Sequence, residues 1–138
     1  MTLIRTLLIA SLAFFLSSKS SAQTIETCFR STSNDAIYAC TLEIKRHQKS
    51  PNIGGLYSRR GSLWLMRAMY EEAISDFKEA TRLNSEDIDA WIGLGSANLQ
   101  LGHEREAIAN LTEALRLDPS NKQARDWLDI AYAMRVRR

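Results

Sequence analysis

Two cysteines, Cys28 and Cys40, are the residues of this chain whose type and spacing most clearly suggest chemistry. They are the only cysteines among 138 residues and lie 12 positions apart. An even number of cysteines favours a disulfide bond in an oxidising compartment, whereas the close C-x-x-C spacing of redox-active dithiols is absent. We therefore predict a disulfide between Cys28 and Cys40, with two buried thiols in a helical interface as the alternative.

An oxidising compartment is predicted by residues 1–22, which have the organisation of a cleavable signal peptide. Arg5 supplies a short positive region, residues 7–16 form an apolar run that is short for a membrane span, and small residues lead up to Ala22. We expect cleavage after Ala22 and a periplasmic or secreted mature protein that does not contact the membrane. The alternative is an uncleaved membrane anchor.

The other residue types that bind metals or catalyse reactions do not form a recognisable set. His47 and His103 are the two histidines, and they fall at a charged helix end and at a turn, where a solvated side chain is expected rather than a zinc ligand. Ser58 and Ser62 have no histidine near them in the sequence to act as a base. We therefore expect no metal, no cofactor and no enzymatic activity.

Two pairs of carboxylates have a structural explanation. Glu71 and Glu72 fall at the predicted start of one helix, and Glu104 and Glu106 fall at the start of another. Negative side chains stabilise the positive end of a helix dipole at these positions. Electrostatics at helix termini therefore explains both pairs better than general acid–base catalysis does.

The charge balance argues against a nucleic-acid partner. The whole chain has a formal net charge of +2, but residues 1–22 contain Arg5 and Lys19 and no acidic residue. Without them the chain has 16 basic and 16 acidic residues. A protein that binds DNA or RNA normally has a surplus of basic residues on one face, so we expect no nucleic-acid partner.

A 34-residue pattern over residues 88–121 predicts the elements that position these side chains. Trp91, Leu94 and Gly95 follow W-x2-L-G spacing, small and large residues then recur at steps of three and four, and Pro119 closes the unit. This pattern is typical of repeats that consist of two antiparallel helices.

The pattern extends upstream of that unit. Residues 54–87 align with it without a gap, and Arg60 takes the place of the expected leucine. A helix further upstream looks like the second half of a degenerate first repeat, in which Glu43 stands where alanine is expected. At Gly61 and Gly95 the missing side chain lets two helices approach closely, and large side chains fill the gaps that small residues leave.

Over residues 35–135 the chain resembles the tetratricopeptide repeat family, and it looks like small exported bacterial members with an N-terminal cysteine pair. The resemblance implies an all-α fold, a right-handed α-solenoid of antiparallel helix pairs closed by a C-terminal capping helix. The predicted parts are a signal peptide (1–22), a degenerate helical hairpin with the cysteine pair (23–53), two repeat units (54–87 and 88–121), and a capping helix with a basic tail (122–138).

The resemblance also implies a non-catalytic function, the binding of a protein or peptide segment in a concave groove lined by the first helix of each pair. Carried over residue by residue, the partner-binding positions are Ser58, Arg59, Ser62, Leu65, Met66, Asp89, Ile92, Gly93, Ser96, Leu99 and Gln100. Some family members hold a C-terminal carboxylate with Lys, Asn and Arg, and the matching positions here do not supply that set. We expect instead a peptide with a few apolar anchors.

Other functions compete with this hypothesis. Residues 45–49 together with Arg59 and Arg60 suggest a basic patch for an acidic partner or an anionic membrane surface, with a solvated helix end as the alternative. Such a patch would favour an accessory or assembly subunit of a cell-envelope complex. An enzyme is the weaker alternative. An RNA-binding helical repeat is disfavoured by the signal peptide, the balanced charge and the 34-residue period.

Overall fold

The structure, a computed structural model, describes residues 22–50 and 52–136 of the chain. The predicted signal peptide, apart from Ala22, lies outside this part of the chain. Within it the chain forms seven α-helices and no β-strand, as the sequence predicts. The helices are α1 (22–30), α2 (Asn34–Arg46), α3 (Ile53–Leu65), α4 (Tyr70–Leu83), α5 (Ile88–Gln100), α6 (Glu104–Leu117) and α7 (Lys122–Val136). None of the described helices has both the length and the apolar character needed to cross a membrane.

Consecutive helices stack as antiparallel neighbours. Short turns connect them, and α3 packs against α4, α4 against α5, α5 against α6, and α6 against α7. The first helices of successive pairs also touch, since α3 contacts α5 and α5 contacts α7. The predicted all-α solenoid with a C-terminal helix over its last pair is therefore confirmed.

The helices approach closely at the two glycines where the sequence predicts it. A Cβ atom on Gly61 would lie 3.0 Å from the ring of Phe77, and one on Gly95 would lie 2.6 Å from the side chain of Leu111. Phe77 and Leu111 belong to the second helix of each unit and are almost completely buried. A side chain at Gly95 would force Leu111 to shift, and one at Gly61 would require the Phe77 ring to give way slightly, so glycine allows the close packing of the paired helices at both places.

The helix ends are capped by side chains that the pattern places there. The carboxylate of Asp87 accepts a hydrogen bond from the backbone N–H of Ala90 at 2.9 Å, and the amide oxygen of Asn121 accepts one from Ala124 at 3.0 Å. Such caps satisfy backbone donors that have no partner inside the helix. They therefore fix where α5 and α7 begin.

The predicted cysteine pair comes together at the N-terminal end of the stack. The two sulfur atoms lie 2.07 Å apart, at the distance of a disulfide bond, and both residues are fully buried between α1 and α2. Arg59 of α3 adds a second connection, because its guanidinium donates hydrogen bonds to the carbonyl oxygens of Cys28 at 2.9 Å and Ser31 at 2.7 Å. The short helix α1 is thus connected to both α2 and α3.

Arg60, which takes the place of a leucine in the repeat pattern, forms a polar link across three helices. Its guanidinium donates two hydrogen bonds of 2.7 Å to the buried carboxylate of Asp76 and one of 2.9 Å to the hydroxyl of Thr41. It also lies 5.6 Å from the ring centre of Tyr57. The hydrogen bonds to Asp76 raise the pKa of Arg60 above its ordinary value, against the opposing effect of burial.

This link predicts an energetic coupling between Arg60 and Asp76. The second repeat unit has Leu94 and Asn110 at the equivalent positions. We expect Arg60→Leu to lower the free energy of unfolding by about 3 kcal/mol, because it leaves the Asp76 carboxylate buried without its partner. Adding Asp76→Asn should recover at least half of that loss.

Urea unfolding of the wild type, the two single variants and the double variant measures this coupling as a double-mutant cycle. A double variant whose loss equals the sum of the two single losses would show that Arg60 and Asp76 act independently, and would contradict the predicted coupling.

Candidate partner-binding groove

A cavity of about 240 Å³ lies between the first helices of the two full repeat units. It is lined by residues of α3, α4 and α5 and by one residue of α7, namely Ser62, Leu65, Phe77, Asp89, Ile92, Gly93, Ser96 and Gln123. Six of the eleven predicted groove residues are therefore brought together in a single cavity. We call this cavity and its rim the groove.

The floor of the groove is apolar and built around Phe77. The ring of Phe77 lies directly beneath Gly93, where a Cβ atom would come within 2.3 Å of the ring. Leu65 and Ile92 also line the cavity and add aliphatic surface. Gly93 is therefore both a wall of the groove and a packing position, a second role that its place in the repeat pattern did not indicate.

The polar groups of the groove are mainly hydrogen-bond acceptors. The hydroxyls of Ser62 and Ser96 each donate to a carbonyl oxygen of their own helix, at 3.0 Å in both cases, so their remaining capacity is to accept. Asp89 contributes an exposed carboxylate at the start of α5, and Gln123 contributes an exposed amide in the first turn of α7. An acceptor-rich rim suits a ligand that presents N–H groups.

Leu99 does not lie in the groove, and its prediction as a groove residue was wrong. Leu99 is not among the residues that line the cavity, and it packs in a core cluster with Ala107, Leu111 and Ala131. Ala131 belongs to α7, which covers this end of α5. The prediction assumed that the groove-facing side of α5 is open along its whole length, whereas α7 covers that side at the position of Leu99.

Four other predicted positions are also outside the cavity lining. Arg59 is engaged with the carbonyl oxygens at the end of α1, which directs its guanidinium away from the groove. The carbonyl of Ser58 accepts the hydrogen bond from Ser62, while Met66 and Gln100 are exposed at the ends of α3 and α5. Met66 and Gln100 are placed to contact a ligand only if it extends beyond the cavity.

The predicted basic patch does not form as one surface. Arg59 binds backbone carbonyls and Arg60 binds Asp76, so both guanidinium groups are engaged inside the protein and do not form one charged surface with the end of α2.

Within the described residues, no group of three His, Cys, Asp or Glu side chains is arranged to hold a metal ion.

Comparisons with known proteins agree with this architecture. A family model described as tetratricopeptide repeat matches residues 88–121, the second predicted unit. The structure of the second TPR domain of human RPAP3, in complex with an HSP70 peptide, superposes with a TM-score of 0.66 and 30% identity, covering 71% of this chain and 79% of that one. The chain belongs to the tetratricopeptide repeat (TPR) family.

Two curated relatives show how widely this TPR similarity extends. Heat shock protein STI1 of Saccharomyces cerevisiae is 36% identical over 74 residues, which are 54% of this chain and 13% of that protein. Cellulose synthase operon protein C of Escherichia coli K12 is 31% identical over 94 residues, which are 67% of this chain and 8% of that protein. This chain thus spans about a tenth of the length of these relatives.

The TPR period explains one groove residue that was not predicted from the sequence. Gln123 follows Asp89 by one 34-residue period and occupies the same place in the first turn of its helix. Extending the groove positions into the capping helix would have identified it. Phe77 had no such signal, because its pattern position is that of a core residue and its side chain is 1% exposed.

Proposed function

We propose that this protein is an exported TPR scaffold that binds an extended segment of a protein partner in the groove. The observation that carries the proposal is the convergence of six predicted positions on one cavity with an apolar floor and an acceptor-rich rim. Relatives whose structures contain a bound peptide, such as the RPAP3 domain with its HSP70 peptide, support a peptide as the class of ligand.

The composition of the groove favours an internal segment of the partner over a C-terminal carboxylate. None of the eight lining residues is cationic, whereas Asp89 places a negative charge at the rim. A carboxylate would be repelled there, while backbone N–H groups or a basic side chain would find acceptors. One apolar side chain of the partner would rest on Phe77 between Leu65 and Ile92.

Display by a rigid stack, rather than catalysis, is the proposed mechanism. The packed helix pairs hold the groove in its binding geometry before the partner arrives, so that most of the entropy lost on ordering falls on the partner segment. Binding of an extended segment then needs only a few apolar anchors and main-chain hydrogen bonds.

The groove proposal predicts a specific effect of charge at Asp89. Peptides selected from a random display library against the mature protein would be titrated by calorimetry against the wild type, an Asp89→Lys variant and a control variant. We expect Asp89→Lys to weaken binding roughly tenfold, because it places a cation where the donors of the ligand must approach.

Glu86→Lys is the matched control for Asp89→Lys. It makes the same charge change just before the same helix, at an exposed residue that does not line the cavity. It should leave the affinity within about twofold. Equal weakening by both variants, or by neither, would contradict binding in the groove.

Export is the second part of the proposal, and the cysteine pair supports it. The signal-like residues 1–22 would direct the chain to an oxidising compartment, where the closely placed Cys28 and Cys40 would form a stable disulfide. Such a bond would stabilise the N-terminal hairpin by restricting the unfolded chain between the two cysteines.

Thiol counting on protein recovered from its natural compartment tests this part. Under denaturing, non-reducing conditions we expect no free thiol before reduction and two after it. Reduction should lower the free energy of unfolding by about 3 kcal/mol. Two free thiols in the recovered protein would contradict both the disulfide and the oxidising location.

A further inference from the structure

A second cavity, of about 320 Å³, opens between α1, the end of α2 and the start of α3. It is separate from the groove and shares no lining residue with it. Its walls are largely apolar and include Ile25, Phe29, Ile53 and Leu56, whereas Glu43 and His47 provide polar groups on one side. The cavity has room for about one large side chain.

The carboxylate of Glu43 is the unusual feature of this cavity. Its side chain is completely buried, at a position where the TPR pattern expects alanine. Oxygen Oε1 accepts a hydrogen bond of 2.7 Å from Arg46. Oxygen Oε2 lies 3.2 Å from Nε2 of His47, but without the alignment of a hydrogen bond, and has no hydrogen-bond partner among the described residues.

A buried carboxylate oxygen without a hydrogen bond is costly, and a donor that enters the cavity would remove that cost. The charge around the opening limits what this donor can be. Lys45, Arg46 and Lys49 lie at the adjacent end of α2 and disfavour a cation, while the negative charge of Glu43 disfavours an anion. A neutral donor on an apolar body fits both conditions.

The phenol of a tyrosine meets each of these requirements. Its ring can pack against Phe29 and Leu56, and its hydroxyl can donate to Oε2 of Glu43. A hydrogen bond from a neutral hydroxyl to a carboxylate is stronger than one between two neutral groups. We infer that this cavity is a binding site for a tyrosine side chain of a protein partner, with Glu43 as the residue that recognises its hydroxyl.

This inference does not depend on the groove, and two matched probes test it. N-acetyl-tyrosinamide and N-acetyl-phenylalaninamide differ by one hydroxyl and would be titrated separately into 15N-labelled protein. We expect amide shifts confined to α1, the end of α2 and the start of α3. The tyrosine probe should bind at least about tenfold more tightly, as a hydrogen bond to a charged acceptor predicts.

Equal affinities for the two probes would overturn the inference, because the hydroxyl would then have no acceptor. Absence of shifts at these helices up to about 10 mM probe would overturn it as well, because a weaker dissociation constant corresponds to a binding free energy of less than about 3 kcal/mol. Neither outcome bears on the groove, whose ligand is tested by the Asp89→Lys titration.

The variant Glu43→Leu tests whether Glu43 is the residue that accepts the hydrogen bond from the tyrosine hydroxyl. Glu43→Leu puts an apolar side chain of similar size in the buried site, and its partner Arg46 keeps its charge in water because 42% of its side chain is exposed, so this variant should fold. Its preference for the tyrosine probe should fall to within about twofold, as expected when no carboxylate accepts the hydroxyl.

Glu79→Leu serves as the control, because Glu79 also pairs with an arginine three residues later but does not line the cavity. It should keep the full preference for the tyrosine probe. A Glu43→Leu protein with native helix content by circular dichroism and an unchanged preference would show that Glu43 is not the acceptor.

Discussion

The contact between the ring of Phe77 and the backbone of two neighbouring first helices is the constraint on which the rest of the structure depends. The ring lies against Gly61 of α3 and Gly93 of α5, so a single side chain sets the spacing of both. The same ring forms the floor of the groove. Phe77 therefore serves both packing and the proposed function. The distance that its ring sets between α3 and α5 is also the width of the groove that a ligand can occupy.

The polar residues that depart from the repeat pattern are concentrated in the N-terminal half. Arg59 holds the end of α1, and Arg60 joins α2, α3 and α4 through Thr41 and Asp76. Arg60 thereby replaces apolar packing by directed hydrogen bonds at a position where the repeat pattern expects leucine. Glu43 differs from them, because it lines an apolar cavity and its oxygen Oε2 has no hydrogen-bond partner among the described residues. The two arginines are satisfied inside the protein, whereas in the inferred tyrosine site the hydroxyl of the partner would supply the donor that Glu43 lacks.

The sequence predicts the helices and their packing well because these follow from local spacing. Gly61, Gly95 and their large partners could be placed from the 34-residue pattern alone, and the helix pairs follow from them. The groove was predicted less completely, since its lining depends on what covers each helix. Leu99 was misplaced because the contact with Ala131 lies 32 positions away and no spacing rule predicts it. The pairing of Arg60 with Asp76 was missed for the same reason, because it joins two helices through side chains outside the pattern.

Site-specific photo-crosslinking in living cells tests the central claim, that a partner segment lies in the groove above Phe77, most directly. A benzophenone amino acid would replace Gln123 at the rim or, as a comparison, the exposed Thr112 on α6, which does not line the cavity. We expect a crosslink to one partner protein from position 123, located by mass spectrometry to an internal segment, and none from position 112. A crosslink to that partner from position 112 alone would place binding on the other face and contradict binding in the groove.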